Sequence, residues 1–185
     1  MAVQLQRRTF TVTDYHRMLE AGILTEDDRV ELLCGEIIAM APIGSKHWAI
    51  VFRLHRLLQA ALASRAHVVA QSSVRLSEDS EPEPDIGVFY PKADDYYSGL
   101  PTPADTHLLV EVADTTILYD REVKVPLYGK AGVPETWLVD LQARRVEVYT
   151  EPSPNGYRHV QFAYPSDAIA PATFPDVTVS VADIL

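Results

Sequence analysis

Two short apolar runs each carry one buried-looking acid. The first is Glu83-Pro84-Asp85-Ile86-Gly87-Val88-Phe89-Tyr90 and the second is Leu108-Leu109-Val110-Glu111-Val112. Apolar, β-branched and aromatic residues bounded by Pro and polar clusters read as buried strands. An ionised carboxylate inside such a strand gives up hydration worth roughly several kcal/mol unless something replaces the water. One acid of this kind can be a paired structural group. Two on successive strands can point at the same spot, where the simplest shared partner is a divalent cation. Lys124 follows on the helix expected next. Asp85, Glu111 and Lys124 together suffice to bind a metal, hold a phosphate and assist a water.

Other residues are weighed against plainer roles. Glu31 alternates with Val30 and Leu32, so it faces away from them, either as a solvent-side acid paired with Arg29 or as a third acid of the site. His47 lies in the first turn of a long helix, as an exposed or capping residue or as a group that orients phosphate or water. Glu83 is a rim acid or an exposed one. Asp120, Lys124 and Tyr128 are spaced by four and share a helix face, so Asp120 either fixes the Lys124 rotamer or forms a surface pair worth only roughly a few tenths of a kcal/mol. Arg53, His55, Arg56 and Arg65 give the long helix the most basic face in the chain, either solvated or turned to a polyanion or a second subunit.

These groups need a scaffold, and its elements are readable in order. Thr13 is the expected N-cap of a helix over Asp14–Glu20, stopped by Gly22. After the polar turn Thr25-Glu26-Asp27-Asp28, the runs from Arg29 to Cys34 and Glu36 to Met40 form a hairpin about Cys34-Gly35. Ser45 caps a helix from Lys46 to Ser64 with an apolar stripe of Ile50, Leu54, Leu57, Leu58, Ala61 and Leu62. His67–Ala70 and Ser73–Leu76 read as an extended, bent strand. After the Asp85 strand, Pro91–Thr106 is a loop long enough to cover the site or swap between subunits. The Glu111 strand leads through Asp114-Thr115-Thr116 into a helix that Pro126 kinks and Gly132 ends, with Leu118, Val125 and Ala131 toward the sheet. Val133–Asp140, Arg145–Tyr149 and Gly156–Phe162 are further strands. A short strand and a helical turn from Val181 close the chain. The sum is an α/β (α+β) domain, a central mixed β-sheet flanked by helices with an N-terminal β-hairpin.

Bulk properties narrow the function classes. At 185 residues, 47% hydrophobic and 23% charged, the chain suits one globular domain over residues 1–185. No run approaches the ~18 apolar residues of a membrane span, so no membrane partner is expected. The start, MAVQLQRRTFTV, lacks the apolar centre of a signal peptide. The lone Cys34 excludes an internal disulfide and reads as an inert packed thiol, with a reactive one as the alternative; cytoplasm is the default compartment. A net charge of −10 argues against a broad basic DNA-gripping face. It leaves room for a nuclease, because acids at a metal site count as negative until the ion arrives.

Taken together, Arg29-Val30-Glu31-Leu32-Leu33 with Gly35-Glu36-Ile37, His47 opening a helix, Pro84-Asp85-Ile86, Leu109-Val110-Glu111-Val112, Tyr119-Asp120 with Lys124 and Tyr128, and Gly132-Val133-Pro134-Glu135-Thr136-Trp137-Leu138-Val139-Asp140 resemble the Uma-two family. That family is described as restriction-endonuclease-like, with a PD-(D/E)xK core. The resemblance spans about residues 11–160 and leaves 161–185 as a C-terminal extension. It implies that Asp85 is the motif aspartate, Glu111 the second acid and Lys124 the motif lysine, moved from its usual strand position, which Ala113 fills here. Glu31 matches the early extra acid, and His47 matches a family position without a defined role.

The expected activity is a Mg²⁺- or Mn²⁺-dependent endonuclease acting on DNA, with Asp85 and Glu111 as metal ligands. A homodimer is expected by analogy with nucleases that cut both strands. The alternative is a catalytically inactive protein on the same scaffold, acting as a dimer or partner-binding module through Trp48, Trp137 or the Tyr96-Tyr97 loop, with Trp137 read first as a core residue. The two part on whether the acid cluster binds a divalent ion. There is no zinc-type histidine spacing, nucleophile elbow or phosphate-binding glycine loop.

Overall fold

The computed structural model describes residues 7–25 and 27–185. Glu26, in the turn expected at 25–28, lies outside the described residues. Six strands form the central sheet in the order β3-β4-β5-β6-β7-β8. They are β3 (His67–Ala70), β4 (Ile86–Phe89), β5 (Thr106–Ala113), β6 (Glu135–Asp140), β7 (Arg145–Ser153) and β8 (Gly156–Ala163). Only β5 and β6 pair in parallel; the other neighbours are antiparallel. The sheet is mixed and flanked by helices, as expected.

Alternation along β5 assigns the two faces. Leu108, Val110 and Val112 pack with the long helix α2 (Ser45–Leu62) and with C-terminal residues Phe174, Val177, Val181 and Ile184. Leu109 packs on the opposite face with Tyr128 and Val133, and Ala113 there with Val125 and Leu138. Glu111 belongs to this second face. Residues beyond 160 therefore complete the main core, with β9 (Ala168–Ile169), β10 (Val179–Ser180) and the helical turn α5 (Val181–Ile184).

The first helix, α1 (Val12–Glu20), begins earlier than expected. Its N-cap is Thr11, not Thr13, because Thr11 and Asp14 close a capping box: the Asp14 N–H donates to Thr11 Oγ1 and the Thr11 N–H to Asp14 Oδ2, both at 3.1 Å. The hairpin forms as expected, β1 (Val30–Leu33) with β2 (Glu36–Ala39). Cys34 and Gly35 both take positive φ, +50° and +76°, which a two-residue primed turn requires. A Cβ at Gly35 would come within 2.5 Å of Thr9 Cβ. The turn also carries the Cys34 side chain outward, so the thiol is exposed rather than packed.

Other expectations are corrected by packing. α2 starts at Ser45 with Gly44 as its N-cap, so Ser45 is the first helical residue rather than the cap. Ala61 is exposed, and Val51 takes a place in the stripe. Ser73–Leu76 joins no strand: Val74 and Leu76 are buried, and their N–H groups go to the carbonyls of Pro82 and Ser80. Leu118 is exposed. Trp137, by contrast, is core as expected: it is fully buried, and its Nε1–H donates to Glu135 at 2.6 Å, which leaves Trp48 and the Tyr96-Tyr97 loop as the interface candidates. No described helix is long and apolar enough to cross a membrane.

The crossover from β5 to β6 is unusual. A short turn, α3 (Ile117–Tyr119), runs into a π-turn over Asp120–Lys124 and then α4 (Val125–Ala131). The Val125 N–H donates to the Asp120 carbonyl, five residues back. Pro126 explains it: the ring has no N–H and would clash with the carbonyl four residues earlier, so the preceding turn widens. The widened turn buries both Asp120 and Lys124. α4 then lies against β8. A Cβ at Gly129 would meet Gly156 C at 2.6 Å and the Tyr157 N at 2.8 Å, backbone that cannot swing aside. Gly129→Ala is expected to cost about 1–3 kcal/mol in urea unfolding, with no change in fold by circular dichroism.

Away from these contacts, Glu147 joins strand β7 to the crossover. Arg121 Nη2 lies 2.7 Å and Arg145 Nη2 2.6 Å from Glu147 Oε1, and the Tyr149 hydroxyl donates to Oε2 at 2.5 Å. Burial works to raise this carboxyl, but the Arg121, Tyr149 and Arg145 hydrogen bonds outweigh it and hold the group below its ordinary 4.5. A depressed carboxylate contributes stability above the unfolded pKa and loses it as pH falls through the folded value. Glu147→Gln is expected to be less stable by about 1–3 kcal/mol at neutral pH. The gap to the wild type should close in acid, as read by urea midpoints across pH.

Candidate active site

The crossover, the hairpin and the ends of β4 and β5 surround a cleft of about 510 Å³. Glu31, His47, Asp85, Glu111, Asp120 and Lys124 all line it. Six residues scattered over the sequence thus meet at one place.

Strand register explains the central pair. Ile86 of β4 stands opposite Val110 of β5, so Asp85, one residue earlier, comes level with Glu111. The Val112 N–H donates to Asp85 Oδ2 at 2.8 Å, and His47 Nε2 lies 3.0 Å from the same oxygen. The hydrogen bond with Asp85 raises the His47 pKa against burial, which lowers it. His47 therefore holds a proton more readily than a free imidazole.

On the other side, Lys124 Nζ lies 2.8 Å from Glu111 Oε1 and 3.2 Å from Glu31 Oε2. All three side chains are nearly inaccessible, at 4–6% exposure. The Tyr128 hydroxyl donates to Glu111 Oε1. Burial alone would lower the Lys124 pKa; Glu111 and Glu31 outweigh it and keep the ammonium charged well above its ordinary range. Burial pushes Glu111 well up, opposed by Lys124 and reinforced by Asp85, Asp120 and Glu31. The cluster holds more acid than base, in a setting where desolvation penalises each charge.

Glu31 is buried because its hairpin docks on the segment before β4. The Glu81 N–H donates to the Leu32 carbonyl at 2.7 Å, and the Glu83 N–H to Glu31 Oε2 at 3.1 Å. It is neither solvent-side nor paired with Arg29. Glu83 is half-buried at the cleft wall rather than exposed, and burial raises its pKa. Asp120 does not hold Lys124. It accepts from Thr116 Oγ1 at 2.6 Å, because the π-turn offsets it from the lysine, and burial raises its carboxyl despite that bond. No residue of the long 91–106 loop lines the cleft. That loop instead folds on itself: Tyr96 packs on Phe89, and Lys92 pairs with Asp105 at 3.0 Å.

Sequence reasoning missed two contributors. The Val112 main chain offers no side-chain signal. Tyr119 also lines the cleft; burial pushes its phenol up to about 12, and its hydroxyl, like His47 Nδ1, has no partner among the described residues. Its place directly before Asp120 was the only hint. Such orphaned polar atoms are ordinarily satisfied by water or a bound group.

The donor set suits a hard cation. Asp85 and Glu111 each use one carboxylate oxygen in the bonds above, which leaves the second oxygen of each for an ion. Carboxylates with main-chain oxygen and water are the coordination that Mg²⁺ and Mn²⁺ favour. Among the described residues no group of three or more Asp, Glu, His or Cys side chains is placed to hold a metal ion, so an ion held by Asp85 and Glu111 would need water for the rest of its shell.

No curated protein matches the chain. Among solved structures it is similar to the crystal structure of "a putative nuclease belonging to DUF820" from Anabaena variabilis, with 19% identity and a TM-score of 0.71 over 95% of this chain and 97% of that one. At that identity the likeness speaks to fold alone. The Uma2 family, described as "Putative restriction endonuclease", matches residues 12–182. The match extends past the 11–160 span of the sequence motifs to take in the C-terminal segment that completes the core, and the chain belongs to the Uma2 family of restriction-endonuclease-like proteins.

Proposed function

We propose that the cleft hydrolyses phosphodiester bonds in DNA with the help of a divalent cation, Mg²⁺ or Mn²⁺, held by Asp85 and Glu111. The observation that carries this reading is the buried Lys124 ammonium, 2.8 Å from Glu111 on the wall of a cleft that Asp85 shares. When bound, the ion would polarise the scissile phosphate and lower the pKa of a water. Lys124 supplies a fixed positive charge where negative charge develops. Glu31 holds Lys124 from the far side and can accept a proton or hydrogen bond from water. Tyr128 fixes Glu111, and His47 fixes Asp85. Asp120 adds negative charge to the cleft without touching Lys124. A homodimer would bring two such clefts to one DNA.

Incubating purified protein with supercoiled plasmid and with linear DNA, in Mg²⁺, Mn²⁺ or EDTA, tests the reading. Cleavage with either ion and none in EDTA is the expected result. Ala113 at the usual lysine position favours a second reading, a nuclease-fold protein that binds a partner without cutting. Calorimetry showing no saturable Mn²⁺ binding, together with no cleavage under any ion, would select it.

A further inference from the structure

His47 faces two ways. It lines the cleft, and it also lines a shallow groove of about 110 Å³ with Trp48, Phe52, His55 and Gln71. Trp48 and Phe52 sit one turn apart on α2 and stack nearly parallel, with ring centroids 5.3 Å apart and planes 5° from each other. They are 59% and 56% exposed, while Ile50, Val51, Leu54, Leu58 and Leu62 of the same helix are buried. The rings therefore contribute little to the core: each covers one face of the other, and the stacked pair stands exposed next to His47, which borders the cleft.

The charge around them is distinctive. α2 contains no Asp or Glu, although the chain carries a net charge of −10. Its ionisable residues are Lys46, His47, Arg53, His55 and Arg56. Trp48, Phe52 and Arg56 are spaced by four, so they fall on one ridge. Arg53 donates to the Ile184 carbonyl and His55 sits 3.2 Å from the Val68 carbonyl, whereas Arg56 is exposed. An acid-free, aromatic-bearing helix on an acidic protein complements a polyanion that also has flat apolar faces.

We infer that this ridge stacks an unpaired nucleobase of the strand whose phosphate enters the cleft, so that the substrate is single-stranded or locally opened DNA. The inference rests on the nuclease reading above. A base within a duplex is already stacked on both faces and cannot offer one to Trp48; an unpaired base can, and such stacking tolerates any sequence. A second copy of this chain is a poorer occupant. A stable dimer buries about 800 Å² per partner, and two aromatic side chains supply roughly 150–250 Å² each.

Fluorescence tests this directly. The chain has two tryptophans, and Trp137 is fully buried, so quenching by added DNA reports on Trp48. Wild-type protein is titrated with a short single-stranded oligodeoxynucleotide and with its blunt duplex, in EDTA and again in Ca²⁺. Saturable quenching by the single strand is expected, with the duplex binding about tenfold more weakly. Phe52→Ala should weaken the single strand by about tenfold in the same titration, and Trp48→Ala likewise by fluorescence anisotropy of labelled DNA, with Trp48→Phe close to wild type. No quenching, equal affinity in Trp48→Ala, or a dimer that Trp48→Ala splits in sedimentation without loss of DNA affinity would overturn the inference. Cleavage in Mg²⁺ is measured in parallel. Cleavage without quenching removes the stacking site and keeps the nuclease; quenching without cleavage under any ion keeps strand binding and removes the nuclease.

Discussion

Asp85→Ala is expected to lose DNA cleavage by about 10³-fold or more. Charge stabilisation of a phosphoryl group by a held cation is worth several kcal/mol, and each ~1.4 kcal/mol is a factor of ten. Asp85 is the acid that ties the cleft to both neighbouring elements, through the Val112 N–H and His47. Its side chain is 13% exposed, so its loss removes two hydrogen bonds without opening a deep cavity. The variant should fold, with a melting temperature a few degrees lower, which roughly fits a loss of about 1–2 kcal/mol. It should also lack the saturable Mn²⁺ binding that the proposed function predicts for wild type in calorimetry. A folded Asp85→Ala protein that still cuts DNA at the wild-type rate would remove Asp85 from the mechanism.

Lys124→Met carries the largest expected effect on stability. The lysine is nine-tenths buried and is the cation closest to both Glu111 and Glu31. Methionine matches its length but leaves two buried carboxylates facing each other. Removing one partner of a buried ion pair costs about 3–5 kcal/mol, because the remaining charge is uncompensated. The double variant Lys124→Met with Glu111→Gln should recover part of that loss, since the second change removes the stranded charge. Urea unfolding of wild type, both single variants and the double variant closes the cycle. Additive effects would mean that the pair is not coupled and that Lys124 is held by something other than these acids. Cleavage by Lys124→Met is expected to fall as well, because the ammonium at the cleft wall is gone.

Much of this was legible in the chain. The hairpin followed from alternating residues around Cys34-Gly35, and the structure places both turn residues at positive φ. The long helix followed from a 3.6-residue stripe. Asp85 and Glu111 stood out because an acid in an apolar strand demands a reason. Pro126 announced a break in its helix, and the break is there as a π-turn. All of these are local signals, carried by period, turn chemistry or a single incompatible residue.

Other features answered to partners far along the chain. Ser73–Leu76 had strand-like residues but found its hydrogen bonds in the turn around 80–82. The Pro91–Thr106 loop was long enough to reach the site and instead folded onto Phe89, where Tyr96 found an aromatic surface. Thr11 won the cap over Thr13 because Asp14 could reciprocate at three residues' distance. Trp48 and Trp137 are the same residue type with opposite exposures, fixed by helix phase in one case and by a central strand in the other.

By itself, then, the sequence determined most of the elements, the two strand acids and the family, because periodicity and motif order are written within short windows. The tertiary structure alone decided that Glu31 is buried beside Lys124, that Asp120 binds Thr116 rather than the lysine, and that an exposed aromatic pair flanks the cleft. The reason is that alternation says only which residues share a face. What that face meets depends on how the hairpin docks on residues 81–83 and how the π-turn rotates the crossover, and both are contacts between segments distant in the chain.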